Sequence, residues 1–241
     1  MKRVFAAFAL LLMLAGCASI PRLSASDAER VTNGKTVVLF VDDAQQINYL
    51  QGKYYVLAVT QEGATSAYKG IWNSGKDLSA LHADEFSKLG LKAKSAYELF
   101  GEQTVAQFVQ QDRDALAAQP KGAAPDPTLN PQLRQALLDK GQDYLIRISW
   151  TGYTLHIQTL GLPANEQFVI RYRIFDVRNN KFMGGGDYGY LHSLNLEGKT
   201  GKDFLETNNL QGLRAQVEQH IRERFAAPPN ATIGKILGLK G

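Results

Sequence analysis

Cys17 is the sole cysteine of the 241 residues, so it forms no intrachain disulfide, and its place near the amino terminus points to modification rather than catalysis. The four histidines, His82, His156, His192 and His220, stand far apart. None has a second histidine three or four residues away, so the helical pair that holds a hydrolytic zinc is missing. His82-Ala83-Asp84-Glu85 gathers nitrogen and oxygen donors, but on a helix His82 and Glu85 are expected as a surface pair without a metal. Gly34-Lys35-Thr36 and Gly198-Lys199-Thr200 match only the end of a phosphate-binding loop, since the glycine needed five residues earlier is Glu29 or Ser193. No nucleotide is expected. No G-x-S-x-G elbow occurs, and Asp42-Asp43 on a strand would point to opposite faces. Gly184-Gly185-Gly186 reads as a bulged strand after a turn rather than a ligand loop. These residues support no catalytic group, no metal and no cofactor, and the chain is read as non-catalytic.

The surroundings of Cys17 give it a task. Lys2 and Arg3 begin the chain, Val4–Leu14 is an uncharged apolar run, and Leu14-Ala15-Gly16-Cys17 follows. The run is too short to span a bilayer, which takes about 20 apolar residues, but it suits the core of a signal peptide at 1–16. Small residues before Cys17 fit a peptidase that binds an extended chain. This pattern resembles the lipobox of bacterial lipoproteins. The resemblance implies diacylglyceryl transfer to the Cys17 sulfur, cleavage after Gly16 and acylation of the new amino terminus, with two or more chains giving stable anchoring. A start of Cys17-Ala18-Ser19 lacks the aspartate of inner-membrane retention, which implies the outer membrane with the domain facing the periplasm.

The balance of charge excludes one class of partner. Without Lys2 and Arg3 the 27 basic residues become 25 against 23 acidic ones, a net of +2. That gives no electrostatic footprint for nucleic acid. At 44% hydrophobic and 21% charged residues the composition is that of a folded protein.

Residues 17–35 read as a lipidated tether, with Pro21, Asn33 and Gly34 and little periodicity. Residues 36–227 then form an α+β domain, helices packed on one face of a mainly antiparallel sheet. Thr36–Asp42 is a buried strand, Tyr54–Thr60 a second and Thr65–Trp72 a weaker third. Leu78, Leu81, Phe86 and Leu89 mark a helix closed by Gly90, and Leu91–Leu99 returns as a strand. Val105, Phe108, Val109, Asp112 and Leu116 line another helix with Asp112 at its edge. Residues 119–131 carry four prolines and read as a linker. Asn130 caps a helix that has Pro131 at its first position and ends at Gly141. Tyr144–Thr151 and Phe168–Phe175 alternate, Tyr153–Leu160 can pair with the first, and Asn179-Asn180 turns the chain into Lys181–Leu191. A last helix carries Leu210, Leu213, Val217 and Ile221, and residues 228–241 form an apolar, basic tail.

The order of an early strand, helices, the strand DYLIRISW, the hairpin FVIRYRIFDVRNNKF and a final helix is similar to that of envelope accessory lipoproteins. These include the curli-secretion lipoprotein, transporter-auxiliary lipoproteins and penicillin-binding-protein activators, and the amino-terminal domain of the Tol-system propeller protein looks alike. The likeness spans Asp143 to Phe225 and carries over no site residue. It implies a factor that binds another envelope protein in assembly, transport or wall maintenance. A hydrolase of an envelope polymer, or a carrier of a lipid or small ligand, stays open.

Alternation offers one surface for such a partner. If helices cover Tyr144, Ile146, Ile148 and Trp150 with Phe168, Ile170, Tyr172 and Ile174, the opposite face presents Arg147, Arg171 and Arg173 beside Leu145, Val169 and Phe175. Arginine among apolar and aromatic side chains is the composition of protein contact surfaces. That arrangement assumes a register in which the two strands present their arginines together.

Overall fold

The computed structural model describes residues 22–55, 58–117, 128–150, 152–157 and 164–226. The strand β1 (Lys35–Val41) is buried at six of its seven positions, five of them apolar and the sixth Thr36. It has no polar face to give to water, so it must lie between two layers, with parallel neighbours on both sides. Those neighbours are β5 (Tyr144–Trp150) and β4 (Lys92–Ser95).

Past a break at 42–45 the chain continues as β2 (Gln46–Tyr55), parallel to β6 (Tyr153–Ile157), and returns antiparallel as β3 (Ala58–Ala67). The run Tyr54–Thr60, expected as one strand, therefore straddles the end of β2 and the start of β3, with 56–57 outside the described residues. β5 and β6 are likewise two halves of one line. Both lie antiparallel to β7 (Ala164–Asp176), β5 along its second half and β6 along its first. The two breaks sit side by side: a β-carbon on Gly152, whose φ is +89°, would stand 3.2 Å from that of Ala44. β8 (Lys181–Leu194) pairs with β7 along its length, after a turn in which Asn180 takes φ +49°.

The α+β class is as expected, and the sheet is mixed. Its larger helical layer holds α1 (Ala25–Asn33), α2 (Ser74–Lys88), α6 (Gly201–Leu205) and α7 (Thr207–Ala226). There Val31, Phe86, Leu213, Val217, Ile221 and Phe225 pack on Val38, Phe40, Ile146, Ile148, Phe168, Ile170 and Tyr172. The expectation of helices on one face needs extending. On the second face α3 (Ala96–Phe100), α4 (Glu102–Ala117) and α5 (Pro131–Asp139) cover Val37, Leu39, Val41, Leu145 and Phe175 with Val105, Phe108, Leu133 and Leu137. The two-sided apolar pattern of β1 is the cause.

The tether is shorter than expected. Ser24 caps α1 by accepting from the Asp27 amide, and Leu23, Ala28 and Val31 enter the main core. The folded unit thus includes Leu23, while residues 1–21, with the signal peptide and Cys17, lie outside the described residues. So do 119–127 of the expected linker and the tail at 228–241. The α5 boundaries follow the reading: the Asn130 side chain accepts from the amides of Gln132 and Leu133, and Gly141 takes φ +64°. Leu91–Leu99 corrects to a four-residue strand followed by α3, because Ser95 caps a helix there.

His82 and Glu85 are not a surface pair. His82 is fully buried among Phe40, Phe86, Tyr172 and Phe225. Its Nδ1–H donates to the Leu78 carbonyl at 2.7 Å, which leaves Nε2 to accept from the Tyr172 hydroxyl at 3.1 Å. Burial lowers its pKa from 6.5 to about 4, against a smaller upward pull from the Leu78 carbonyl. The unfolded chain then binds the proton more tightly than the folded one, so His82 costs stability as pH falls through 6.5 towards 4, by about 3 kcal/mol at full protonation. Comparing urea unfolding of the parent and His82→Leu over that range should show the gap between them narrowing by this amount. A constant gap would contradict the assignment. Glu85, 6% exposed, instead pairs with Lys88 at 2.6 Å and with Arg222 of α7 at 2.7 Å.

Candidate functional site

The arginines meet as the alternation requires. Arg147 stands opposite Arg173 and Ser149 opposite Arg171, while Ile146 faces Ile174 and Ile148 faces Tyr172 on the core side. Two like charges in register need counter-ions. Arg147 pairs with Asp112 of α4 at 2.9 Å, and Arg173 pairs with Asp187 of β8 at 2.7 Å. Arg171 reaches the same Asp187 at 3.4 Å. Asp112 is buried rather than at the edge of its helix, and burial raises its pKa while Arg147 opposes that rise.

The helices of the second face divide this row. Phe175 is 7% exposed, packed among Leu133, Leu137 and Phe182, so it offers no aromatic surface to a partner. Arg147 lies half under α4, its charge spent on Asp112. Both corrections have one source, the layer α3–α5 over β1 and β5. Farther along β7 and β8 that layer stops. The cross-strand pairs Arg171–Asp187, Val169–Gly189, Gln167–Leu191 and Asn165–Ser193 all face away from the main core. Of these, Arg171, Gln167, Asp187, Gly189, Leu191 and Ser193 are exposed, Leu191 by 68%. Around Arg171, Gln167 and Leu191 one face of an antiparallel sheet is here left bare among the described residues. Arg171 is its most accessible arginine, with half of its side chain exposed. Arg173 is a structural residue as well, donating to the Tyr172 carbonyl.

Spacing did not show a second feature, the cleft at the end of β1. It encloses about 570 Å³ between β1, the turn 69–73, α3 and α4, within the usual size of ligand sites. Asp42 follows β1 directly and lies at the floor of the cleft, 4% exposed. Its Oδ2 accepts from the hydroxyls of Tyr68 and Ser74, each at 2.5 Å, and its Oδ1 from the Gln45 amide at 2.9 Å. Burial first, and then the Asp42 charge, raise the pKa of Tyr68. Asp43 points away, bonded to Arg113 at 2.8 Å, so Asp42 and Asp43 do not converge, in agreement with strand geometry. Glu102 accepts from Asn73 at 2.6 Å. Each carboxylate at the cleft is thus held by a donor of the chain itself, and the arrangement stiffens the break between β1 and β2.

The remaining motifs have structural places. Gly185 lets β8 approach β7, since a β-carbon there would stand 2.0 Å from the Tyr172 carbonyl oxygen, and the ladder shifts register beside it. Thr200 caps α6 by accepting from the Asp203 amide, and Thr36 is buried within β1. Among the described residues no group of three histidines, cysteines or carboxylates is arranged to hold a metal, and no helix is long and apolar enough to cross a membrane.

No family model matches the sequence, and no curated protein matches it. Among solved structures it is similar to a hypothetical protein from Chlamydia trachomatis, at 16% identity and a TM-score of 0.40, covering 85% of this chain and 99% of that one. It is similar to a lipoprotein from Neisseria meningitidis at 15% identity and a TM-score of 0.35, covering 80% of this chain and 98% of the other. For the LpoB C-terminal domain from Salmonella enterica the values are 9% identity, a TM-score of 0.26, and 69% and 91% coverage.

Proposed function

We propose that the chain is a lipoprotein, anchored through Cys17 to the outer membrane, whose domain binds another envelope protein without catalysis. The anchor is supported by Leu14-Ala15-Gly16-Cys17 after a short apolar run. The observation that carries the binding role is the bare β7–β8 face, where Leu191 and Arg171 stand exposed beyond the edge of the α3–α5 layer. A protein partner would take a bidentate carboxylate contact from Arg171 and apolar area from Leu191. Phe175 and Arg147 fall outside this surface, and Arg173 serves it by fixing Asp187.

The test places a photo-crosslinking residue at Gln167 in intact cells. The expected result is a discrete adduct of constant mass that falls at least tenfold in Arg171→Glu/Leu191→Ser, with the melting temperature nearly unchanged because both side chains are exposed. In Cys17→Ser the protein should leave the membrane fraction and take up no labelled fatty acid. An adduct undiminished in the double variant would remove the surface, and undiminished lipid labelling of Cys17→Ser would remove the anchor.

A further inference from the structure

Where α7 crosses β7 and β8, three ionisable side chains meet inside the protein. Glu166 of β7 is completely buried. Its Oε2 accepts from the Tyr153 hydroxyl of β6, and its Oε1 faces His220 Nε2 of α7 in direct contact. The other nitrogen of His220, Nδ1, faces Glu223 at 3.4 Å. An imidazole donates from both nitrogens only when it is protonated. Burial works against the charged ring, but Glu166 and then Glu223 outweigh it and raise the His220 pKa.

His192 of β8 lies on that ring, with centroids 4.3 Å apart and planes 18° from parallel. Its Nε2 is buried without a hydrogen-bond partner. Burial, and after it the His220 charge, lower the His192 pKa, with Arg224 adding to this and Glu166 and Glu223 offsetting part of it. Around the pair stand Phe168 of β7 and Tyr190 of β8, and the Arg224 guanidinium lies 5.0 Å from the Tyr188 ring and 5.9 Å from that of Tyr190. Beyond Tyr153, Tyr49 of β2 donates to Glu206 at 2.7 Å.

We propose that the stacked His192–His220 pair is a one-proton lock, closed over Glu166 while His220 alone is protonated and opened when His192 takes a second proton. The second proton sets two cations ring on ring, one of them with its Nε2 buried away from any acceptor. His192 holds a proton less tightly in the folded chain than in the unfolded one. Its contribution is therefore complete above 6.5 and is lost as pH falls through its folded value. His220 acts in the opposite sense: its contribution is complete below 6.5 and is lost as pH rises through its folded value. Docking of α7 is tightest between these limits, and acid releases it. The other face of β7 and β8 is the bare surface described above, so release of α7 removes its support; the lock itself stands on the cluster, whatever that surface binds.

Hydrogen exchange of the purified protein tests this directly. Between about pH 7 and about pH 5, protection factors of the α7 amides from Leu213 to Phe225 should fall about tenfold in the parent. In His192→Phe, which keeps a ring on His220 without a proton site, they should change less than about twofold, and His192→Leu should behave alike. The parent and both variants carry His82→Leu in this comparison, because His82, which packs on Phe225, itself withdraws stability between 6.5 and about 4. Full protection of the parent at the lower pH would overturn the proposal, as would loss in both His192 variants at the pH where the parent loses it. A ring titration by nuclear magnetic resonance gives a second reading on the parent alone. A His192 midpoint under 6.5 is expected, and one at or above that value excludes the lock.

Discussion

Asp42→Ala should lower the stability of the domain by about 3–5 kcal/mol, because it orphans three donors inside the protein rather than one. The hydroxyls of Tyr68 and Ser74, both fully buried, and the Gln45 amide all point to this one carboxylate. Each comes from a different piece of chain: Gln45 from the break between β1 and β2, Tyr68 from the turn after β3, Ser74 from the first residue of α2. Alanine leaves the two buried hydroxyls without a protein acceptor. Asp42→Asn keeps an acceptor for the Gln45 amide and lets the two hydroxyls rotate to accept from its NH₂, so about 1–2 kcal/mol is expected there. Urea unfolding of the two variants reads the difference. Equal losses would mean that the charge, and not the number of satisfied donors, is what the site needs. The cleft should respond as well, since Asp42 forms its floor; protease cleavage in the turn 69–73 should quicken in Asp42→Ala and stay near the parent rate in Asp42→Asn.

The contrast between this network and the arginine row shows what the sequence could reveal. Period-two alternation in Tyr144–Trp150 and Phe168–Phe175 was enough to separate core from non-core faces, and even the facing of Arg147 and Arg173 followed. Alternation is local, and one apolar face fixes the register. It does not tell what lies over the other face. Phe175 and Arg147 read as surface from their strands alone because α4 and α5 belong to other segments, and only the apolar run of β1 points to a second layer. The first helix escaped for a different reason. It buries only Ala28 and Val31 of its nine residues, too few for a visible stripe, and Ser24 was its one strong signal. Asp42 with Ser74, and Glu166 with His220, join residues 32 and 54 positions apart. No spacing rule reaches such pairs. A buried carboxylate is legible only once the topology has brought its donors to it.

For Glu166 the same reasoning gives the other large effect. His220→Leu should cost about 3–5 kcal/mol near neutral pH, the usual penalty for removing one partner of a buried ion pair and leaving the other charged. Tyr153 would remain as the only donor to Glu166, and a single neutral hydroxyl does not compensate a carboxylate that is 0% exposed. The pair as a whole is a different matter, because well-packed apolar residues replace buried ion pairs at little cost or with a gain. The triple variant Tyr153→Phe/Glu166→Leu/His220→Leu, which removes the charge, its partner and the hydroxyl that served it, should therefore return to within about 1–2 kcal/mol of the parent. Packing favours this: the cluster is walled by Phe168 and Tyr190, both almost completely buried. Urea unfolding of the single and triple variants separates two explanations of the single loss. If the triple variant recovers, the orphaned charge caused it, and Glu166–His220 serves proton-dependent docking of α7 rather than bulk stability. If the triple variant falls as far as the single one, the loss came from the shape of the imidazole in its slot against His192, and ion pairing contributes little to holding α7 on the sheet.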